Sequence, residues 1–166
     1  MRPNIRYAII VLASVGMVGT LSTAAPAQQT DASAQAAYRD IEATLGFVPG
    51  FFKAFPQDGI AGAWAEFKGV QLSPATALPP KVKELIGLGV ASQIPCAYCV
   101  YFHTAMAHAN GATDEEVREA VAMAAISRHW STVLNGMQVD LSTFKQETDK
   151  ALRLASEKAK TTARTQ

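Results

Sequence analysis

Residues 80–103 read Pro80-Lys81-Val82-Lys83-Glu84-Leu85-Ile86-Gly87-Leu88-Gly89-Val90-Ala91-Ser92-Gln93-Ile94-Pro95-Cys96-Ala97-Tyr98-Cys99-Val100-Tyr101-Phe102-His103. Val82, Leu85, Ile86, Gly89 and Val90 recur at helical spacing. Pro80 suits the first turn of that helix, where a missing N–H costs nothing. Pro95 breaks the helix or opens the next, which the pattern runs from Cys96 to about Ala109 and stops at Asn110-Gly111, a helix C-terminal signal. The Cys-x-x-Cys therefore sits at a helix N-terminus.

The neighbouring segments extend the helical pattern in both directions. Downstream, Thr113-Asp114-Glu115-Glu116 has the form of a capping box, and Val117, Ala120, Val121 and Ala124 make one apolar face behind it. From about Ser131 to Lys158 there is no proline and one glycine. Val133, Met137, Leu141 and Phe144 at helical spacing there predict a long C-terminal helix that frays over residues 161–166. Upstream, Ala36 to Leu45 reads as a short helix ended by Gly46. An aromatic turn, Phe47 to Phe52, a helix over Gly59 to Val70 and a loop punctuated by Pro74 and Pro79 follow. No run alternates with period two and no internal repeat recurs, so the fold class is all-α, a single compact domain over residues 36–160.

The first 27 residues stand apart. Arg2 and Arg6 precede the apolar run Ala8 to Leu21, which ends in Ala25-Pro26-Ala27, a secretory signal pattern. The run is shorter than the roughly 20 residues that span a bilayer, so cleavage near Ala27, export to the periplasm or beyond, and no stable membrane anchor are expected. Residues 28–35, small and polar, read as a flexible mature N-terminus. Cleavage removes two of the 15 Lys and Arg and none of the 14 Asp and Glu, leaving 139 residues of formal charge −1. A near-neutral chain of mixed charge has no footprint for a polyanion, which excludes nucleic acid as a partner. With 49% hydrophobic and 17% charged residues, the chain holds enough apolar side chains for one globular core.

Residues three and four apart share a helix face, so Cys96, Cys99 and His103 form a row, with His103 one turn from Cys99 and two from Cys96. The thiol nearest a general base is the one more readily held as thiolate, which makes Cys99 the candidate nucleophile and Cys96 the resolving thiol. The helix N-terminus favours negative charge on sulfur, and an imidazole accepts a proton near neutral pH. Glu84, twelve residues before Cys96, is the carboxylate that would complete a relay if its helix folds over the Cys-x-x-Cys helix.

Competing readings exist for each residue. In an oxidising compartment the cysteines would be an inert disulfide, too short a loop to staple a fold. Two thiolates, an imidazole and Glu84 would also suit a tetrahedral zinc ion, but the second Cys-x-x-Cys or His pair that normally makes that case is missing. No metal and no cofactor is expected. Taken alone, Glu84 reads as an exposed first-turn acid favoured by the helix dipole. His108 and His129 have no partner motif and read as surface or packing residues. Trp64, Phe67, Trp130 and the Phe47, Phe51, Phe52 cluster read as core or subunit-contact aromatics.

The segment Leu78 to Ala125 carries a family resemblance. Its motifs Lys81-Val82-Lys83-Glu84-Leu85-Ile86, Cys96 to His103 and Gly111-Ala112-Thr113-Asp114-Glu115-Glu116-Val117 closely resemble the AhpD-like (alkylhydroperoxidase D) core domain of the carboxymuconolactone decarboxylase superfamily. The turn Leu45-Gly46-Phe47-Val48-Pro49 is also typical of that superfamily. The resemblance implies an all-helical homo-oligomer, a trimer or hexamer, that reduces hydroperoxides with peroxiredoxin-type activity through a redox disulfide between Cys96 and Cys99. It makes Cys99 peroxidatic, Cys96 resolving, and Glu84 and His103 the proton relay, with a thiol reductant that the sequence does not identify. Tyr98 stands where the best-studied members carry a second histidine. Two alternatives stay open: a cofactor-free decarboxylase acting on a lactone acid, a branch that generally lacks the cysteine pair, and a non-enzymatic exported disulfide or binding subunit.

Overall fold

The computed structural model describes residues 26–164; of the leader expected over residues 1–27, residues 1–25 lie outside them. Among the described residues all regular structure is helical: α1 (Pro26–Leu45), α2 (Gly50–Lys53), α3 (Gln57–Glu66), a π-helical segment (Phe67–Leu72), α4 (Pro80–Gln93), α5 (Ala97–Ala109), α6 (Asp114–Gly136) and α7 (Leu141–Arg164). The all-α expectation holds. The chain divides into two compact units, one through Ala65 and one from Glu66.

The first unit closes on its own apolar residues. Ala34, Ala37 and Ile41 make one buried stripe of α1, and Phe52, Ile60 and Trp64 are buried with them. The Trp64 ring meets Phe52 edge-on at 5.4 Å, and its indole N–H donates to Asp40 Oδ2 at 2.6 Å, so the large ring is buried without an unsatisfied donor. Residues 28–35, expected to be flexible, are instead the early turns of α1. Between Ala27 and Leu45 there is no glycine or proline, the alanine-rich composition favours helix, and Ala34 draws that turn into the packed face.

In the second unit α4 packs against both α5 and α6, and α5 touches α6. Pro80 occupies the first turn of α4, as the sequence indicates. Gly111, at φ 83°, takes the left-handed conformation that ends α5, its N–H donating to His108 O at 2.9 Å. The capping box at Thr113 is present: Thr113 Oγ1 accepts the Glu116 N–H at 3.1 Å and Glu116 Oε2 accepts the Thr113 N–H at 2.8 Å.

The C-terminal region departs from expectation twice. The helix expected from Ser131 to Lys158 is two helices, broken at residues 137–140, where Gln138 has φ 52° and Asp140 Oδ1 accepts the Thr143 N–H at 2.8 Å. Periodicity continued through the break, but Asp140 caps a new helix and so restarts the backbone bonding. Of the fray expected over residues 161–166, the described part, 161–164, is helical: α7 runs to Arg164 and the Thr161 and Thr162 hydroxyls donate to Glu157 O and Lys158 O at 3.0 Å.

Candidate active site

Glu84, Leu88 and Ala91 lie on the face of α4 that is buried, at positions i, i+4 and i+7. Glu84 is thus not the exposed first-turn acid that α4 alone would suggest; it is 1% exposed. Burying a carboxylate is costly unless it is paired and hydrogen-bonded. The pairing comes from α5: His103 Nδ1 lies 2.7 Å from Glu84 Oε2, with the imidazole only partly exposed. A second donor was not visible in the sequence. Gln71 Nε2, from the π-helical segment, stands 3.4 Å from both carboxylate oxygens. No periodicity or motif singles out Gln71, but π-helical turns cluster at functional sites, and this one is held at its end by Lys83, whose ammonium donates to Val70 O at 2.5 Å and Ser73 O at 2.7 Å.

The cysteines are arranged differently from a simple helical row. Cys96 is not in α5 but caps it, with an extended backbone, φ −100° and ψ 95°. Its Sγ accepts the Cys99 N–H at 3.2 Å. Leaving the helix at Cys96 lets its sulfur turn back toward the first turn, and Cys96 and Cys99 form a disulfide with Cα atoms 5.3 Å apart. A sulfur in the N-cap position receives a backbone N–H and the positive end of the helix dipole, both of which favour a thiolate there once the bond is reduced.

The structure joins the four expected residues as two pairs, Glu84 with His103 and Cys96 with Cys99, and the helical turn from Cys99 to His103 connects them. The His103 ring also meets Phe102 edge-on at 5.4 Å, and Phe102 lies 6.0 Å from Phe67. Tyr98 is 89% exposed. The two other histidines are elsewhere: His108 Nδ1 is 3.1 Å from Ala112 O at the end of α5, and His129 stacks edge-on against Trp130. Beside the site, Lys81 Nζ reaches Glu116 Oε1 at 2.7 Å and ties α4 to the capping box of α6. That bond, followed by the Thr113 N–H, holds the Glu116 carboxyl below its ordinary value of 4.5.

Residues 59–140 match the carboxymuconolactone decarboxylase family. Over 63 residues the chain is 40% identical to an uncharacterized protein of Cupriavidus necator, a match covering 37% of this chain and 56% of that relative's length. The crystal structure of the alkylhydroperoxidase AhpD core from Rhodospirillum rubrum is similar with a TM-score of 0.59 at 28% identity, over 75% of this chain and 94% of that one. By the family match and the shared helical architecture, the chain belongs to the carboxymuconolactone decarboxylase superfamily with an AhpD-like core.

Proposed function

We propose that this protein is an exported thiol peroxidase that reduces hydroperoxides at Cys99. The observation that carries the reading is the 2.7 Å bond from His103 to the buried Glu84, one helical turn from a cysteine already bonded to its neighbour. With Nδ1 engaged by the carboxylate, Nε2 is the ring nitrogen left to take or return a proton, and Glu84 orients the ring. In the first step the Cys99 thiolate attacks the terminal peroxide oxygen. The O–O bond breaks, sulfenic acid forms, and the alkoxide or hydroxide leaves with a proton delivered through His103. In the second, Cys96 thiolate attacks the sulfenic sulfur, the S–O bond breaks as the disulfide closes, and the departing hydroxide takes up a proton from solvent to leave as water. The N–H bond to Cys96 Sγ favours that thiolate. Two electrons from a thiol donor then restore both cysteines.

The superfamily supports a peroxidase-type or a decarboxylase-type enzyme, and the disulfide favours the first. Purified protein assayed with hydrogen peroxide and an organic hydroperoxide, with dithiothreitol as donor, tests this. Turnover that depends on Cys99 is expected, whereas disulfide exchange without peroxide consumption would identify a disulfide carrier instead.

Export rests on the leader pattern, and N-terminal sequencing of exported protein should begin at Gln28. Among the described residues no helix is long and apolar enough to cross a membrane. A homo-oligomer, which the family resemblance makes a trimer or hexamer, is supported by the exposed apolar row of Ile86 and Val90 on α4 and Ile94 just past its end, each more than half exposed, which with Met123 of α6 lines an open groove of about 610 Å³.

A further inference from the structure

α4 contains two interior glycines, Gly87 and Gly89, and a glycine inside a helix is destabilising relative to alanine. The two positions differ in what surrounds them. A Cβ built on Gly89 would meet Ala120 O and Ala124 Cβ at 3.8 Å, an ordinary contact. A Cβ built on Gly87 would collide with the His103 ring, 2.5 Å from Nδ1, 2.7 Å from Nε2 and closer still to Cε1. Three ring atoms at once mean that the imidazole lies against the α4 backbone at this position. The ring has little freedom to yield, because Nδ1 is held 2.7 Å from Glu84, one turn earlier on the same helix, and Phe102 packs against it edge-on.

We propose that Gly87 is the positioning residue of the site: its missing side chain is the seat into which His103 fits to reach Glu84, and any larger residue there would push the imidazole off the carboxylate. The consequence for thiol chemistry rests on the proton relay proposed above; the seat itself does not.

Two measurements keep these apart. The first is a double-mutant comparison of thermal midpoints for the unsubstituted protein, Gly87→Ala, His103→Ala and the double variant, with Gly89→Ala as the control for helix propensity. Gly87→Ala should lower the midpoint alone and raise it in the His103→Ala background, where the ring is gone and only the better helix former remains. Should Gly87→Ala alone fail to fold, folding of the double variant still supports the seat. The same shift in both backgrounds overturns it. The second measurement is the iodoacetamide reaction rate against pH in the reduced Cys96→Ser protein, where Cys99 alone reports. Gly87→Ala should slow the reaction near neutral pH by the same factor as His103→Gln, while Gly89→Ala leaves it unchanged. A normal rate for Gly87→Ala beside a slow His103→Gln overturns the proposal and leaves the relay standing. Unchanged rates in every variant would end the relay, and the midpoint comparison would then decide the seat by itself.

Discussion

In the proposed mechanism His103 links the two halves of the site: its Nδ1 lies 2.7 Å from Glu84, and Cys99 sits one turn before it on α5. If Cys99 is the nucleophile, Cys99→Ser abolishes peroxide turnover. Cys96→Ser still consumes about one equivalent per site and stops at sulfenic acid, because the first step needs only the nucleophile. Stopped-flow peroxide consumption with sulfenic acid trapping checks this, and equal first-turnover rates in the unsubstituted and Cys99→Ser proteins would reverse the assignment. Replacing His103 by Gln should shift the pH profile of Cys99 alkylation to higher pH, with Glu84→Gln acting in the same direction but less. The defect shrinks in alkali, where hydroxide deprotonates the thiol without help. Superimposable profiles for both variants would reduce the pair to a structural role. At this scale the residue types were legible in the sequence, but not the contact: nothing within α4 distinguishes a carboxylate that meets solvent from one that meets His103.

Among the helices, α6 has the most completely specified start. Thr113→Ala removes the acceptor for the Glu116 N–H and should cost about 1 kcal/mol, read as a lower denaturant midpoint at unchanged slope. Glu116 adds a pH dependence whose sign follows from its depressed folded-state value. Its contribution is fully present above about 4.5 and is lost as pH falls through the lower folded value. The stability difference between the unsubstituted protein and Glu116→Gln should therefore shrink below that pH, as followed by circular dichroism in acid titration; a constant difference would remove Glu116 from the account. Caps such as these are legible because their partners lie three residues apart. The break at residues 137–140 is hidden from periodicity because the apolar pattern runs across it unbroken; the left-handed Gln138 and the capping bond of Asp140 mark the new helix. The same limit applies to Cys96, which periodicity alone places inside α5 and which the backbone places at its cap.

For the whole molecule the open question is what covers the apolar residues left in water on α4 and α6. If copies of the chain associate through the groove that Val90 lines, Val90→Glu buries a charge at the contact and should shift the mass measured by light scattering toward the monomer, with the helical circular dichroism spectrum retained. A mass that stays the same would move the contact elsewhere. By itself the sequence determined the helical class, the start of α4 at Pro80, the Thr113 box and the Cys-x-x-Cys to His103 spacing, because each is encoded within one or two turns of chain. Only the tertiary structure decided that Glu84 is buried against His103, that Gln71 joins them, that Gly87 leaves room for the ring, and that the chain forms two units. Those outcomes depend on how helices far apart in sequence rotate and cross when they pack, and that is set by the summed contacts of many side chains that no local pattern contains.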